Sequence, residues 1–101
     1  MAKFIVHYLG GNQPASEEEG QRHFKKYQDW LTSLGDSVIK PMVPHKNTVT
    51  LSPDGTESKG SQISMSGHTL IQADSIESAV AMMKNCPFLE IQGSLEVSEI
   101  S

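Results

Sequence analysis

Residues 67–100 read GHTLIQADSIESAVAMMKNCPFLEIQGSLEVSEI, and this third of the chain decides the fold. Residues 69–73 form a short apolar run that reads as a strand. Asp74 stands where a helix needs an N-cap, with Glu77 three residues on as its capping-box partner. Ile76, Ala79, Val80 and Met83 recur at helical spacing and give that helix one buried stripe. Asn85-Cys86-Pro87 stops it, because proline disfavours helical geometry in the residue before it. Residues 88–93 then serve as a connector, and residues 95–100 alternate as a closing strand. Strand, helix and strand in this order make half of a βαββαβ sandwich.

Working outward, residues 3–9 form the first strand, with β-branched and aromatic residues at its centre. Phe4, Val6 and Tyr8 point one way; Ile5, His7 and Leu9 point the other. Both faces are largely apolar, as in a strand covered on both sides. After a Gly-Gly-Asn-Gln-Pro break, Ser16 starts a helix with Glu17, Glu18 and Glu19 in its first turn, where the dipole favours negative charge. Phe24, Tyr27, Leu31 and Leu34 share one stripe of this helix, with His23 and Trp30 along its edge. Gly35 ends it. Residues 37–42 read as a short strand closed by Pro41 and Pro44. Residues 47–52 alternate as a further strand, and Pro53-Asp54-Gly55 turns it into a hairpin returning through residues 56–58. The small, polar residues 59–66 read as a mobile loop at a cleft mouth.

The whole order predicts one α+β domain over residues 1–101. Its fold class is ferredoxin-like: a βαββαβ antiparallel sheet with two helices on one face and an inserted β-hairpin. Two amphipathic helices cover only one side of such a sheet, so Ile5 and Leu9 on the other side call for a partner. A homodimer packed through the open sheet face is the economical answer.

The chain has 101 residues, 37% apolar and 20% charged, with a net charge of −4. An acidic balance argues against nucleic-acid binding, which needs surplus Lys and Arg. No apolar run approaches the ~20 residues of a membrane span. No signal-peptide pattern follows Met1, and a single cysteine fits a reducing compartment. The expected location is cytoplasmic.

Several pieces resemble the YCII-related family, in particular its DGPF-type branch. They are Asp54-Gly55 in the hairpin turn, Gly67 with the strand after it, and the helix start Asp74-Ser75-Ile76-Glu77-Ser78-Ala79. Cys86-Pro87 and Gly93-Ser94-Leu95-Glu96-Val97 complete the set. The resemblance implies a dimeric α/β-barrel built from two ferredoxin-like protomers. It also implies a cleft between the first helix, the sheet and the hairpin loop. The enzyme-like branch of the family carries a His on the first helix and an Asp near that helix's end. His23 falls where that His would be. Leu31-Thr32-Ser33 occupy the place of the Asp, with Asp36 a few residues later, and Thr56-Glu57 replace the Pro-Phe of the DGPF turn.

The candidate site follows from these placements. His23 lies about 40° from Tyr27 and about 20° from Trp30 around the helix, where it can reach a helix–sheet cleft and titrate near neutral pH. Glu19, one turn back, is a candidate to hold one of its ring nitrogens, and Asp36 is the alternative. His7 and His68 fall on strands that are central neighbours in this fold, so they can lie side by side and line the cleft or a seam between protomers. Tyr8, Tyr27 and Trp30 are candidates to stack on a planar ligand. No His or Cys spacing matches a metal-ligand pattern, so neither a metal nor another cofactor is expected. Cys86 reads as a small buried apolar residue. Two functions stay open. One is a binding module for a small organic ligand, in the cleft between the first helix, the sheet and the 59–66 loop. The other is a cofactor-independent enzyme using His23 as general acid and base with Glu19 or Asp36.

Overall fold

The alternation of the first strand is realised as β1 (Ala2–Gly10). Phe4, Val6 and Tyr8 are fully covered, whereas Ile5, His7 and Leu9 are only half-buried. The computed structural model describes residues 1–61 and 65–100. Helix α1 (Glu17–Ser33) follows, and Ser16 caps it by accepting a hydrogen bond from the Glu19 N–H at 3.1 Å. A 3-10 turn, Gly35–Ser37, leads into β2 (Val38–Pro44). Strands β3 (Val49–Leu51) and β4 (Glu57–Lys59) form the hairpin. Strand β5 (Met65–Ala73), helix α2 (Ile76–Met83), a second 3-10 turn at Pro87–Ile91 and β6 (Gly93–Ile100) complete the chain.

The main sheet has the order β2-β5-β1-β6, and every pairing in it is antiparallel. This is the ferredoxin-like arrangement, with the first and third βαββαβ strands in the centre. Hairpin β3-β4 forms a separate two-stranded sheet. The core lies under the helices, where Phe4, Val6, Ile71 and Ala73 from the sheet meet Ala79 and Met83 from α2. A second cluster joins Tyr8, Tyr27 and Cys86.

Four expectations are corrected. The cap of α2 is Ser75, not Asp74; Ser75 accepts from the Ser78 N–H at 3.1 Å, and Asp74 stays exposed. Both residue types cap well, and the cap falls one residue later, without a Glu77 partner. Pro41 and Pro44 do not close β2 but lie within it. As the sheet's edge strand, β2 can carry prolines, whose missing N–H groups are tolerated at an edge. Phe24 is 58% exposed rather than buried, because it borders two open cavities. Ile76 and Val80 are likewise more than a third exposed. They border a shallow groove with Leu95 and Val97 of β6.

Of residues 59–66, Lys59 belongs to β4 and Met65 and Ser66 to β5. The remainder of that expected loop includes residues 62–64, which lie outside the described residues.

Candidate functional site

Period-two alternation sends Tyr8 from β1 and Thr69 from β5 to the helix-covered face, and the inward edge of α1 sends Tyr27 down to meet them. The Tyr8 and Tyr27 hydroxyls are 2.5 Å apart, and Tyr8 also bonds the Thr69 hydroxyl at 2.6 Å. Tyr27 and Thr69 are more distant, at 3.5 Å. Burial raises the pKa of both phenols above the ordinary value, so they stay protonated across the physiological range.

The two tyrosines also line an apolar cleft of about 190 Å³. Tyr8 borders it from the sheet, and His23, Phe24 and Tyr27 border it from α1. Met42 of β2 and Phe88 and Ile91 of the second 3-10 turn supply the remaining lining. Phe88 packs edge-on against Tyr8, with ring centroids 5.4 Å apart. Its ring also lies so close to Gly11 and Gly93 that a Cβ at either would collide with it. Lys26 of α1 grips both oxygens of Glu90 at 2.9 and 2.6 Å and ties the turn to the helix. Being exposed, this pair contributes about 0–1 kcal/mol.

A second, larger cavity of about 480 Å³ shares His23, Phe24 and Ile91 with the first. Glu19 and His23 both border it, and the residues after β1, Asn12 to Ala15, complete its rim. His23 therefore stands between an outer, polar-edged cavity and an inner, apolar one. Cys86 lies buried beside the tyrosines, its thiol pushed up to about 11 by desolvation.

The candidate residues divide into three places. His23, Tyr8 and Tyr27 meet at the inner cleft, with Glu19 on the outer rim. Trp30 packs into the core behind Tyr27, at a centroid distance of 5.8 Å, rather than at the cleft. Asp36 sits beyond the far end of α1, roughly 15 Å along the helix from His23 by the rise per residue. Its carbonyl accepts a hydrogen bond from Gln72 at 2.9 Å.

His7 and His68 are side by side as expected, directly paired across β1 and β5 with ring centroids 6.4 Å apart. They occupy the open face, one residue out of phase with Tyr8 and Thr69, so the sheet separates them from the cleft. His45, just after β2, joins them: its Nε2 is 2.7 Å from His68 Nδ1. Among the described residues no group of three or more His, Cys, Asp or Glu is arranged to hold a metal ion.

Sequence reasoning missed Phe24, Met42, Phe88 and Ile91 as cleft residues, and His45 altogether. The second 3-10 turn carried the best available signal, since Gly93 and Gly11 mark a close approach. Among the described residues, the wall opposite α1 comes from that turn and from Met42 rather than from the 59–66 loop.

No protein-family profile matches the chain, and no curated protein matches it in sequence. Among solved structures, the chain is similar over nearly its whole length to 5-chloro-2-hydroxyhydroquinone dehydrochlorinase (TftG) from Burkholderia phenoliruptrix AC1100, in complex with 2,5-dihydroxybenzoquinone. The likeness covers 98% of this chain and 93% of that one, with a TM-score of 0.61 and 14% sequence identity. The likeness is one of fold. Among the described residues no helix is long and apolar enough to cross a membrane.

Proposed function

We propose that this chain binds a single-ring organic molecule bearing an oxygen acceptor in the cleft between α1, the sheet and the Pro87–Ile91 turn. The observation that carries this reading is an aromatic-lined cavity of about 190 Å³ whose two lining tyrosines share a buried hydroxyl contact. An apolar cavity of about 150 Å³ holds one benzene ring, so the size suits a single ring. Three hydroxyls carry three protons, and two short bonds consume two of them. The third is left to the long 3.5 Å contact between Tyr27 and Thr69, which a ligand oxygen can outcompete, and burial, by raising the pKa of both tyrosines, keeps it in place. The fold neighbour's ligand, a dihydroxybenzoquinone, has this chemistry.

His23 supports a second reading, a cofactor-independent enzyme. It is the imidazole on the cleft's lining and sits between the apolar interior and the polar rim, where a general acid or base would meet a bound ring. In this reading Glu19 orients it from the outer cavity, and Asp36 serves elsewhere.

The reading extends to family and assembly. The DGPF-type motif pieces and the shared fold together favour a YCII-related domain that pairs through its open sheet face as a dimeric α/β-barrel. Its accessible surface of 6899 Å² exceeds the ~5,700 Å² usual for a monomer of this mass. A thickness of 19 Å against 42 and 39 Å fits one helix layer on one sheet, with the second sheet face left for another copy. One cysteine and a pI near 5.4 fit a cytoplasmic protein.

Isothermal titration with a panel of hydroxybenzenes and hydroxyquinones, beside aliphatic acids of equal size, tests the binding reading. Ring compounds should bind, and Tyr27→Phe should weaken them at least fivefold. Equal or absent binding across the panel contradicts it. Product analysis on any binder separates the two readings: an enzyme loses turnover in His23→Gln while keeping affinity, and a binding module shows no turnover in either form.

A further inference from the structure

We propose that His45 and His68 form an acid-releasable latch, which holds the end of β2 on β5 and thereby positions Met42 as a wall of the cleft on the opposite face of the sheet. The inference rests on the cleft reading only for its effect on ligand; the latch itself stands on the fold.

The segment from Met42 to His45 presents different residues to the two faces. Met42 borders the cleft and lies over Gly67, where a Cβ would come within 2.7 Å of the Met42 methyl and 2.8 Å of the Val43 carbonyl. That close approach exists because residue 67 has no side chain. Register shifts occur in β2 between Val38 and Lys40 and again between Lys40 and Val43, so the strand reaches this point with few regular pairings. Pro41 and Pro44 offer no N–H to β5. What holds the end is Val43 opposite His68, Pro44 opposite Gly67, the His45 N–H on the Ser66 carbonyl at 2.9 Å, and the imidazole pair at 2.7 Å.

The imidazole pair is the part that responds to protons. Neutral His donates through one nitrogen and accepts through the other, so a neutral pair, or a pair sharing one proton, keeps the N–H···N bond. When both rings are charged neither contacting nitrogen can accept, and the bond becomes a repulsion. The surroundings make that second charge costly. His68 is also faced by His7 across β1, and Lys40 of β2 adds positive charge. Glu96 of β6 stands in register with His7 and is the acidic group at the far end of this row. Lys46 follows His45 in the chain. Desolvation, then His45, His7 and Lys40, all act to lower the pKa of His68 from 6.5. The latch therefore holds at neutral pH and opens in mildly acidic solution.

Amide hydrogen exchange of the full-length protein reads the latch directly. The protection factor of the His45 amide, corrected for intrinsic exchange, should fall about tenfold between pH 7.5 and pH 5.0, the size of one net hydrogen bond. His45→Ala should show the low value at both pH values. His45→Gln, which bonds to a neutral imidazole without titrating, should change less than the parent protein between them. A protection factor within twofold at the two pH values, or full protection in His45→Ala, overturns the proposal. Protection lost equally in α2 and β6 would mean global unfolding and would overturn it too. Ligand titration in the cleft is scored separately: a latch that opens without change in affinity leaves the His45 positioning role refuted and the cleft itself intact.

Discussion

Tyr8 on β1 and Tyr27 on α1 meet with their hydroxyl oxygens 2.5 Å apart, across 19 residues of chain, and Thr69 on β5 completes the group. Three separate elements thus converge on one buried polar point in an apolar interior. Such a point stabilises only while all its partners remain, since an orphaned buried hydroxyl costs about 1–3 kcal/mol. Tyr8 is the centre, because it bonds both others.

That asymmetry predicts unequal costs. Tyr27→Phe keeps the Tyr8–Thr69 bond and should cost about 1 kcal/mol in urea unfolding. Tyr8→Phe leaves Tyr27 and Thr69 at their 3.5 Å separation and should cost about 2–3 kcal/mol. Equal midpoints for the two variants would show that Tyr8 is not the hub.

Phe88 fills the space over Gly93 and Gly11. Gly93→Ala should push its ring toward the cleft and destabilise the protein by about 1–3 kcal/mol through overpacking. Thermal unfolding checks this, and an unchanged midpoint would mean that Phe88 has room to move.

Cys86 is 2% exposed, with its thiol pushed up to about 11. At pH 8 it is almost wholly protonated, and thiolate is the reactive form. A thiol-directed reagent should label the native protein at least a hundredfold more slowly than the urea-unfolded chain. Rapid native labelling would place Cys86 at the surface.

Stability should depend on pH through His68. Its folded pKa is lowered from 6.5, chiefly by desolvation. As pH falls below that ordinary value, the unfolded chain takes up a proton before the folded one does. Stability is then complete above about 6.5 and is lost as pH falls toward the lowered folded value. Urea midpoints at pH 7.5 and 5.0 should differ in that direction, and His68→Gln should reduce the difference. Asp54 does not intrude, since hydrogen bonds from Thr56 lower it further below 3.8.

The framework was legible wherever a local rule decides the outcome. Alternation in residues 3–9 separated Phe4, Val6 and Tyr8 from Ile5, His7 and Leu9. Ser16 marked the start of α1, and the helix–strand order placed His7 beside His68. The cleft was legible only from its α1 and β1 sides. Its third side is a 3-10 turn whose sequence, Pro-Phe-Leu-Glu-Ile, has neither helical nor strand period, so Phe88 and Ile91 looked like connector residues. His45 follows a proline in what reads as a turn, and its contact with His68 spans 23 residues. No pattern within a short window reports such a contact. Of the two places open to His7 and His68, the cleft and a seam between protomers, their position on the opposite face from Tyr8 leaves the seam, because residues one apart on a strand face opposite sides of the sheet.

The most direct test of the account is a two-dimensional NMR titration of the assigned protein with 2,5-dihydroxybenzoquinone, repeated with Tyr27→Phe. The account predicts saturable shifts at His23, Tyr27, Met42, Phe88 and Ile91, absent from His7 and Glu96, and weakened by the substitution. Shifts confined to the open sheet face, or none at millimolar ligand, would contradict it.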